Sequence, residues 1–200
     1  MSVAGIILAA GCSTRFRPSS DQPTKLVALL RGEPIVHRVA RVALEAGVHP
    51  LIVVTGHARE PIKAALAGLD ILFVHNQLYR AGLSTSLSTG LAAVPHSTSG
   101  ALVMLGDMPF VKPETLKKLI TAQDAKAGDT LAIVPSFNGV WGNPVLLSSA
   151  IYARIMSREG DEGARAILRA SRDAVTEVSV DDEGVLADID RQEQLQQNTV

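Results

Sequence analysis

The chain has a single cysteine, Cys12. An internal disulfide framework and a multi-cysteine zinc site are therefore excluded, and a reducing compartment suits the composition. A basic excess is also missing: 19 Lys and Arg face 20 Asp and Glu, for a net charge of −1. Proteins held on duplex nucleic acid by phosphate contacts carry such an excess, so any phosphate this chain meets is met locally. The five histidines form no H-x-H or H-x-x-x-H pair. They read as surface or satisfied core residues, since imidazole ligands come in groups. There is no long hydrophobic run. Val3 to Ala10 is too short to span a bilayer, and the first basic residue is Arg15, so a charged leader region is lacking. This run reads as a buried strand and the protein as cytoplasmic, with no membrane partner. Neither G-x-x-x-x-G-K-[ST] nor G-x-G-x-x-G occurs. No internal repeat, low-complexity block or linker interrupts the chain.

What remains is a well-mixed chain, 46% hydrophobic and 20% charged over 200 residues. That is enough to bury a core in one domain. Short apolar runs alternate with helical patterns, the mark of βαβ units on a mostly parallel sheet. Strands are expected at Val3–Leu8, Leu51–Val54, Leu69–Val74, Ala101–Leu105 and Leu131–Val134. A further strand is expected over Val140–Leu147, interrupted by Gly142-Asn143-Pro144, and a late one over Val175–Val180. The apolar face Ile35, Val39, Val42, Ala46 predicts a helix from Pro34, closed by Gly47. Further helices are expected at Glu60–Ala67, Thr85–Val94, Pro113–Ala127, Ala150–Ser157 and Glu162–Ala170.

In open α/β sheets ligands bind at the carboxyl ends of the strands. The segments just past the apolar runs are Ala9-Ala10-Gly11-Cys12-Ser13, Thr55-Gly56-His57, Asn76-Gln77 and Gly106-Asp107-Met108-Pro109. In the first loop, small residues let the backbone approach a ligand, while Arg15 and Lys25 offer donors for phosphate oxygens. The competing reading is a surface loop with two ordinary basic residues. Asp107, at a strand mouth, is placed to hold Mg²⁺, which takes oxygen ligands; otherwise it forms an Asx turn. Asp188 or Asp190 would complete a two-carboxylate site if the late segment folds back, unless the pair caps a helix before Arg191. Cys12 lies in the same loop without a nearby histidine to activate it, and reads as a small loop residue rather than a nucleophile.

In order along the chain stand Leu8-Ala9-Ala10-Gly11-x-Ser13-x-Arg15, Lys25-Leu26, Gly32-Glu33-Pro34-Ile35, Val53-Val54-Thr55-Gly56 and Asn76-x-x-Tyr79-x-x-Gly82-Leu83-Ser84-x-Ser86-Leu87. They are followed by Leu105-Gly106-Asp107-Met108-Pro109, Gly142-Asn143-Pro144-Val145, Gly160-Asp161-x-Gly163-Ala164-Arg165 and Asp188-Ile189-Asp190. This ordered set resembles the MobA-like nucleotidyltransferase family, and within it the molybdenum cofactor cytidylyltransferases.

The resemblance implies a single Rossmann-like, three-layer α/β nucleotidyltransferase domain over residues 1–200. It implies transfer of CMP from CTP to the phosphate of a molybdopterin-type acceptor, with release of pyrophosphate. Leu8, Ala9, Ala10 and Gly11 would line the nucleotide, with Gly56, Ser84 and Ser86 beside it. The two serines equally suit helix capping. Arg15 and Lys25 would hold the triphosphate, with Asp107 as the third catalytic residue. Asp107 and Asp190 would hold Mg²⁺. Asn143, Pro144, Asp161 and Arg165 would face the acceptor, and a client molybdoenzyme is a further implied partner. Ala10 stands where guanylyltransferase relatives have glycine, so the smaller pyrimidine base of CTP is expected over GTP. Two departures stand out. Phe16-Arg17-Pro18 follows Arg15 where the family has glycine, and ten positions separate Arg15 from Lys25, so Arg17 could share the phosphate role. Trp141 replaces a basic residue before Gly142-Asn143-Pro144. Other implied readings are a same-fold enzyme acting on another phosphorylated acceptor, of guanylyltransferase or sugar-phosphate type, and a non-catalytic cofactor-binding chaperone.

Overall fold

The computed structural model describes residues 2–13, 16, 24–125, 130–157, 163–191 and 193–197; of residues 163, 165, 196 and 197 only the backbone is described. Arg15, Arg17, Asp161 and the Arg165 side chain therefore lie outside the described residues.

The central strand β1 (Val3–Ala9) is buried along its whole length. A run that is apolar on both faces suits a parallel strand covered by helices on either side. β1 pairs in parallel with β4 (Leu51–Thr55) and with β6 (Gly100–Leu105), and β5 (Leu72–His75) continues the parallel set beyond β4. On the other flank β9 (Val145–Ser148) runs antiparallel between β6 and β7 (Ala132–Phe137). β10 (Val175–Ser179) is parallel to β7 at the edge, and β8 (Val140–Trp141) folds back on β7. Among the described residues this makes an eight-stranded, mostly parallel sheet. A separate ribbon pairs β2 (Leu29–Leu30) with β3 (Glu33–Pro34).

Helices cover both faces, giving the three layers expected. α1 (Ile35–Glu45), α2 (Arg59–Ala65) and α4 (Pro113–Ala125) share one core with Ile7, Val53 and Met104. α3 (Leu83–Ala92), α5 (Tyr152–Met156) and α6 (Gly163–Ala170) share the other with Ile6, Leu8 and Val54. Successive side chains of β1 thus enter opposite cores, the period-2 alternation of a strand. α1 buries Ile35, Val36, Val39 and Val42, each contributing about 1.5–3 kcal/mol. α3 is rich in Ser, Thr and Gly, all weak helix formers, and docking holds it. Gly90 lets it lie close on the sheet, since a Cβ there would stand 2.6 Å from Ile6 Cγ2 and 3.0 Å from Val54 Cγ2. A short helix α7 (Glu193–Gln197) follows, with Gln194 Oε1 accepting from the Asp190 and Arg191 amides at 2.7 Å each.

Three expected elements differ. The third strand starts at Leu72 rather than Leu69, because the Leu69 amide is taken by Leu66 O in the turn that ends α2, at 3.3 Å. The run 140–147 splits into β8 and β9, since Gly142 N bonds Pro135 O and Asn143 N bonds Val185 O. The helix expected from Ala150 opens as a 3-10 turn, Ser149–Ile151, before α5. No helix among the described residues is long and apolar enough to cross a membrane.

Candidate active site

The segments that follow β1, β5 and β6 enclose a cleft of about 390 Å³ at the carboxyl ends of the strands, whereas the β4 exit, Thr55-Gly56-His57, does not line it. Leu8, Ala10, Gly11 and Ser13 line it from the first exit. Ser13 adopts φ 51°, its Oγ lies 2.9 Å from Thr24 Oγ1, and it accepts from the Lys25 amide at 3.2 Å. Both feet of the long first loop are thereby pinned together. Thr24 is fully buried and caps the 3-10 turn Lys25–Val27, which aims Lys25 into the cleft.

Lys25 Nζ stands 2.7 Å from Asp107 Oδ2 and 2.9 Å from Asp190 Oδ1. Burial works against its charge, but the charges of Asp107 and Asp190 and the hydrogen bonds to them outweigh that and raise its pKa. Asp188 completes the group: one carboxylate oxygen from each of Asp107, Asp188 and Asp190 falls within 4.8 Å of the others. Three hard oxygen donors at this spacing fit a divalent cation. The expected pair is thus a triad, and both late aspartates take part because Ile189 between them is fully buried. Ile189 packs in a small core with Phe16, Ala28, Leu30 and Ile35, and its amide donates to Asp107 O at 2.9 Å.

The late segment is threaded rather than laid on the surface. Asp182, 3% exposed, accepts from the Lys112 amide at 2.9 Å, Thr115 Oγ1 at 2.6 Å and the Gly184 amide at 3.1 Å. Gly184 presses on the Phe110 carbonyl and Gly142 on Val185, with no room for a side chain at either. From α1, Arg38 Nε donates to Pro109 O at 2.9 Å and steadies the loop that carries Asp107. Neither Asp182 nor Arg38 stood out in the sequence, because their partners are 70 and 71 positions away.

A second cleft of about 510 Å³ adjoins the first and shares Leu8, Leu83, Leu105 and Asp188 with it. Its walls are apolar, among them Leu87, Val103, Met108, Val145 and Leu168, with Ser84 and Asn143 as polar points. The expected residues sort accordingly. Leu8, Ala10, Gly11, Lys25, Ser86, Asp107 and Asp190 come together in the first cleft, joined by Tyr79, Gly82 and Leu83. Ser84 and Asn143 line the second. Three residues take other places. Ala9 is 1% exposed and faces the core under α1. Gly56 backs the first loop: a Cβ there would stand 2.6 Å from Ala10 O and 2.7 Å from Tyr79 Cβ. Pro144 lines a small cavity with Val39 and Met104, next to the second cleft and sharing Leu105, Met108 and Asn143 with it. Trp141 turns away toward β10, where its Nε1 donates to Glu177 Oε2 at 2.7 Å and Arg172 lies over its ring.

A three-layer α/β fold with a lysine and three carboxylates gathered beside the β6 exit fits an α/β nucleotidyltransferase domain. The chain belongs to the MobA-like NTP transferase domain family, whose model matches residues 5–175. It is similar to the structure of Rv0371c from Mycobacterium tuberculosis H37Rv, at 28% identity and TM-score 0.82 over 100% of this chain and 98% of that one. A structure of Rv0371c in complex with manganese matches at 29% identity and TM-score 0.68, over 90% of this chain and 89% of that one. The chain is also 31% identical over 160 residues to the bifunctional protein GlmU of Syntrophotalea carbinolica, covering 80% of this chain and 32% of that protein. It spans between a quarter and a third of the length of the first curated relatives it matches.

Proposed function

We propose that this chain transfers CMP from CTP to the phosphate of a molybdopterin-type acceptor and releases pyrophosphate. The observation that carries this reading is the pair of adjoining clefts meeting at Asp188, one with the charged cluster and one with apolar walls. A reaction between two bound molecules needs such a junction. The apolar second cleft suits a flat ring system better than a sugar, whose hydroxyls each require a partner. Ala10 supports CTP: it lines the first cleft at the end of β1, where a residue larger than glycine narrows the space for a base and favours the smaller pyrimidine.

In this mechanism an oxygen of the acceptor phosphate attacks the α-phosphorus of CTP in line. The new P–O bond forms as the α–β anhydride bond breaks, and pyrophosphate carries away the electron pair. The acceptor phosphate is already ionised near neutral pH, so no general base is required. Lys25 offsets charge on the triphosphate, and Arg15 is assigned the same role from the sequence. Asp107, Asp188 and Asp190 would hold Mg²⁺. When bound, Mg²⁺ neutralises phosphate charge and orients the leaving pyrophosphate. A cytoplasmic site of action belongs to the same proposal, supported by the single cysteine.

The test is pyrophosphate release from CTP with and without molybdopterin, and in competition with equal GTP. Acceptor-dependent release with preference for CTP is expected. Turnover with a sugar 1-phosphate instead moves the enzyme to another acceptor class, preference for GTP overturns the cytidylyl assignment, and no release with any acceptor leaves a binding protein.

A further inference from the structure

Ile189 stands between two of the three carboxylates of the cluster. Asp188 and Asp190 line the first cleft on either side of it, while Ile189 itself is fully buried. The residue is thus a pivot, and any shift of its side chain moves both carboxylates together. Its amide is tied to Asp107 O at 2.9 Å, but one hydrogen bond fixes a point and not an orientation. The side chain supplies the second restraint, in a small core apart from the two that flank the sheet. Ala28, Leu30 and Ile35 enter that core from the segments around β2 and α1, and Phe110 enters it from the loop after Asp107. Phe16 enters it from the first loop and is 3% exposed.

Phe16 also meets the ligand side, since it lines the first cleft. Its amide donates to Ser13 O at 3.0 Å, and Ser13 Oγ accepts from the Lys25 amide at 3.2 Å. Lys25 Nζ in turn reaches Asp107 and Asp190. The contacts therefore close a ring, from Phe16 through Ser13, Lys25 and Asp190 to Ile189, and back to Phe16 through the core they share. Close packing makes such a ring stiff, and a void beneath Ile189 would release it. We infer that Phe16 is a positioning residue for the cation site: by filling the seat of Ile189 it sets the spacing of Asp188 and Asp190 from Asp107. This rests on the reading of the triad as a divalent-cation site and is independent of the nucleotide base and of the acceptor.

The experiment is titration of the intact chain with MnCl₂ in the absence of nucleotide, with free Mn²⁺ read by electron paramagnetic resonance. Phe16→Ala should weaken Mn²⁺ binding about tenfold, the low end for residues that orient metal ligands. Phe16→Met keeps an adaptable apolar side chain in the seat and should stay close to wild type. Ile189→Ala should act like Phe16→Ala, and the double variant should lose no more than either one, since both act through one contact. A residue that only stabilises the fold would lower the melting temperature and leave the affinity of the folded protein alone. Should Phe16→Ala fail to fold, Phe16→Val takes its place and should still weaken binding more than Phe16→Met does. An unmoved affinity in the folded variants, or losses that add in the double variant, overturns this inference alone. A wild type that binds no Mn²⁺ overturns the cation site as well.

Discussion

Lys25 and Asp107 form an ion pair at 2.7 Å in the mouth of the cleft, and the same ammonium reaches Asp190 at 2.9 Å. The lysine thus supplies positive charge where three carboxylates converge. Removing it leaves them crowded without compensation. Lys25→Ala is expected to lower the melting temperature in the absence of divalent cations, and added Mg²⁺ or Mn²⁺ should restore more stability than it gives the wild type. Its kcat/KM for CTP should fall at least about tenfold, or 1.4 kcal/mol. An unchanged melting curve with an unchanged metal response would remove the lysine from this role.

Asp107→Asn keeps the shape of the side chain and removes its charge. Metal-dependent turnover should drop at least about 100-fold with folding intact, since neutral Asn is a poorer ligand for a hard cation. Asp188→Asn and Asp190→Asn should each weaken Mn²⁺ binding in a titration. Wild-type affinity in either one returns the site to two carboxylates.

Arg38→Gln should act on the Asp107 loop from below, through the lost bond to Pro109 O. The expected signature is a lower kcat with KM for CTP little changed, because Arg38 lines neither cleft. A uniform rise in KM would contradict this placement.

Glu33 gives a pH dependence. It accepts from Arg41 Nε at 3.0 Å and lies 2.8 Å from His37 Nδ1. These bonds, that of Arg41 first, outweigh burial and hold its pKa below the ordinary carboxylate value. A depressed carboxylate contributes stability that is present above its unfolded pKa and is lost as pH falls through the folded one. Stability measured by denaturant melts from pH 6 downward should therefore fall less steeply in Glu33→Gln than in the wild type, below about pH 4.5. Parallel curves would show that the cluster contributes nothing.

Gly184→Ala should destabilise the chain by about 1–3 kcal/mol, the range for forced overpacking. The new methyl would press on the Phe110 carbonyl. A melting temperature within 1 °C of wild type would mean that the segment shifts freely.

Much of this fold was legible because the strands of a buried parallel sheet are short, solid apolar runs. Val3–Ala9, Leu51–Thr55 and Gly100–Leu105 can be read in that way. The antiparallel insertion of β9 was not legible, since nothing local in Val145–Ser148 states which neighbours it pairs with. In the site, Lys25 and Asp107 stood out as charges at strand exits. The sequence offered Asp188 and Asp190 as alternatives rather than together, and the role of Arg38 did not stand out, because each depends on a partner brought close by folding. Ala9 and Ala10 show the limit of a motif: adjacent in sequence, they point to opposite sides, and only Ala10 meets the cleft.

The bond from Ile189 to Asp107 O joins positions far apart in the chain. During synthesis the chain emerges from its N-terminus, and early parts settle first. β1, β4, β5 and β6 can pair once residue 105 is out, yet the carboxylate triad does not exist until Asp190 has followed. A partly made chain, or one clipped ahead of residue 182, would retain the small-residue loop and Lys25 while lacking two of three carboxylates. Such a fragment would hold one carboxylate of the group where the whole chain holds three, so the candidate metal-holding cluster comes into being only when residue 190 has joined the fold.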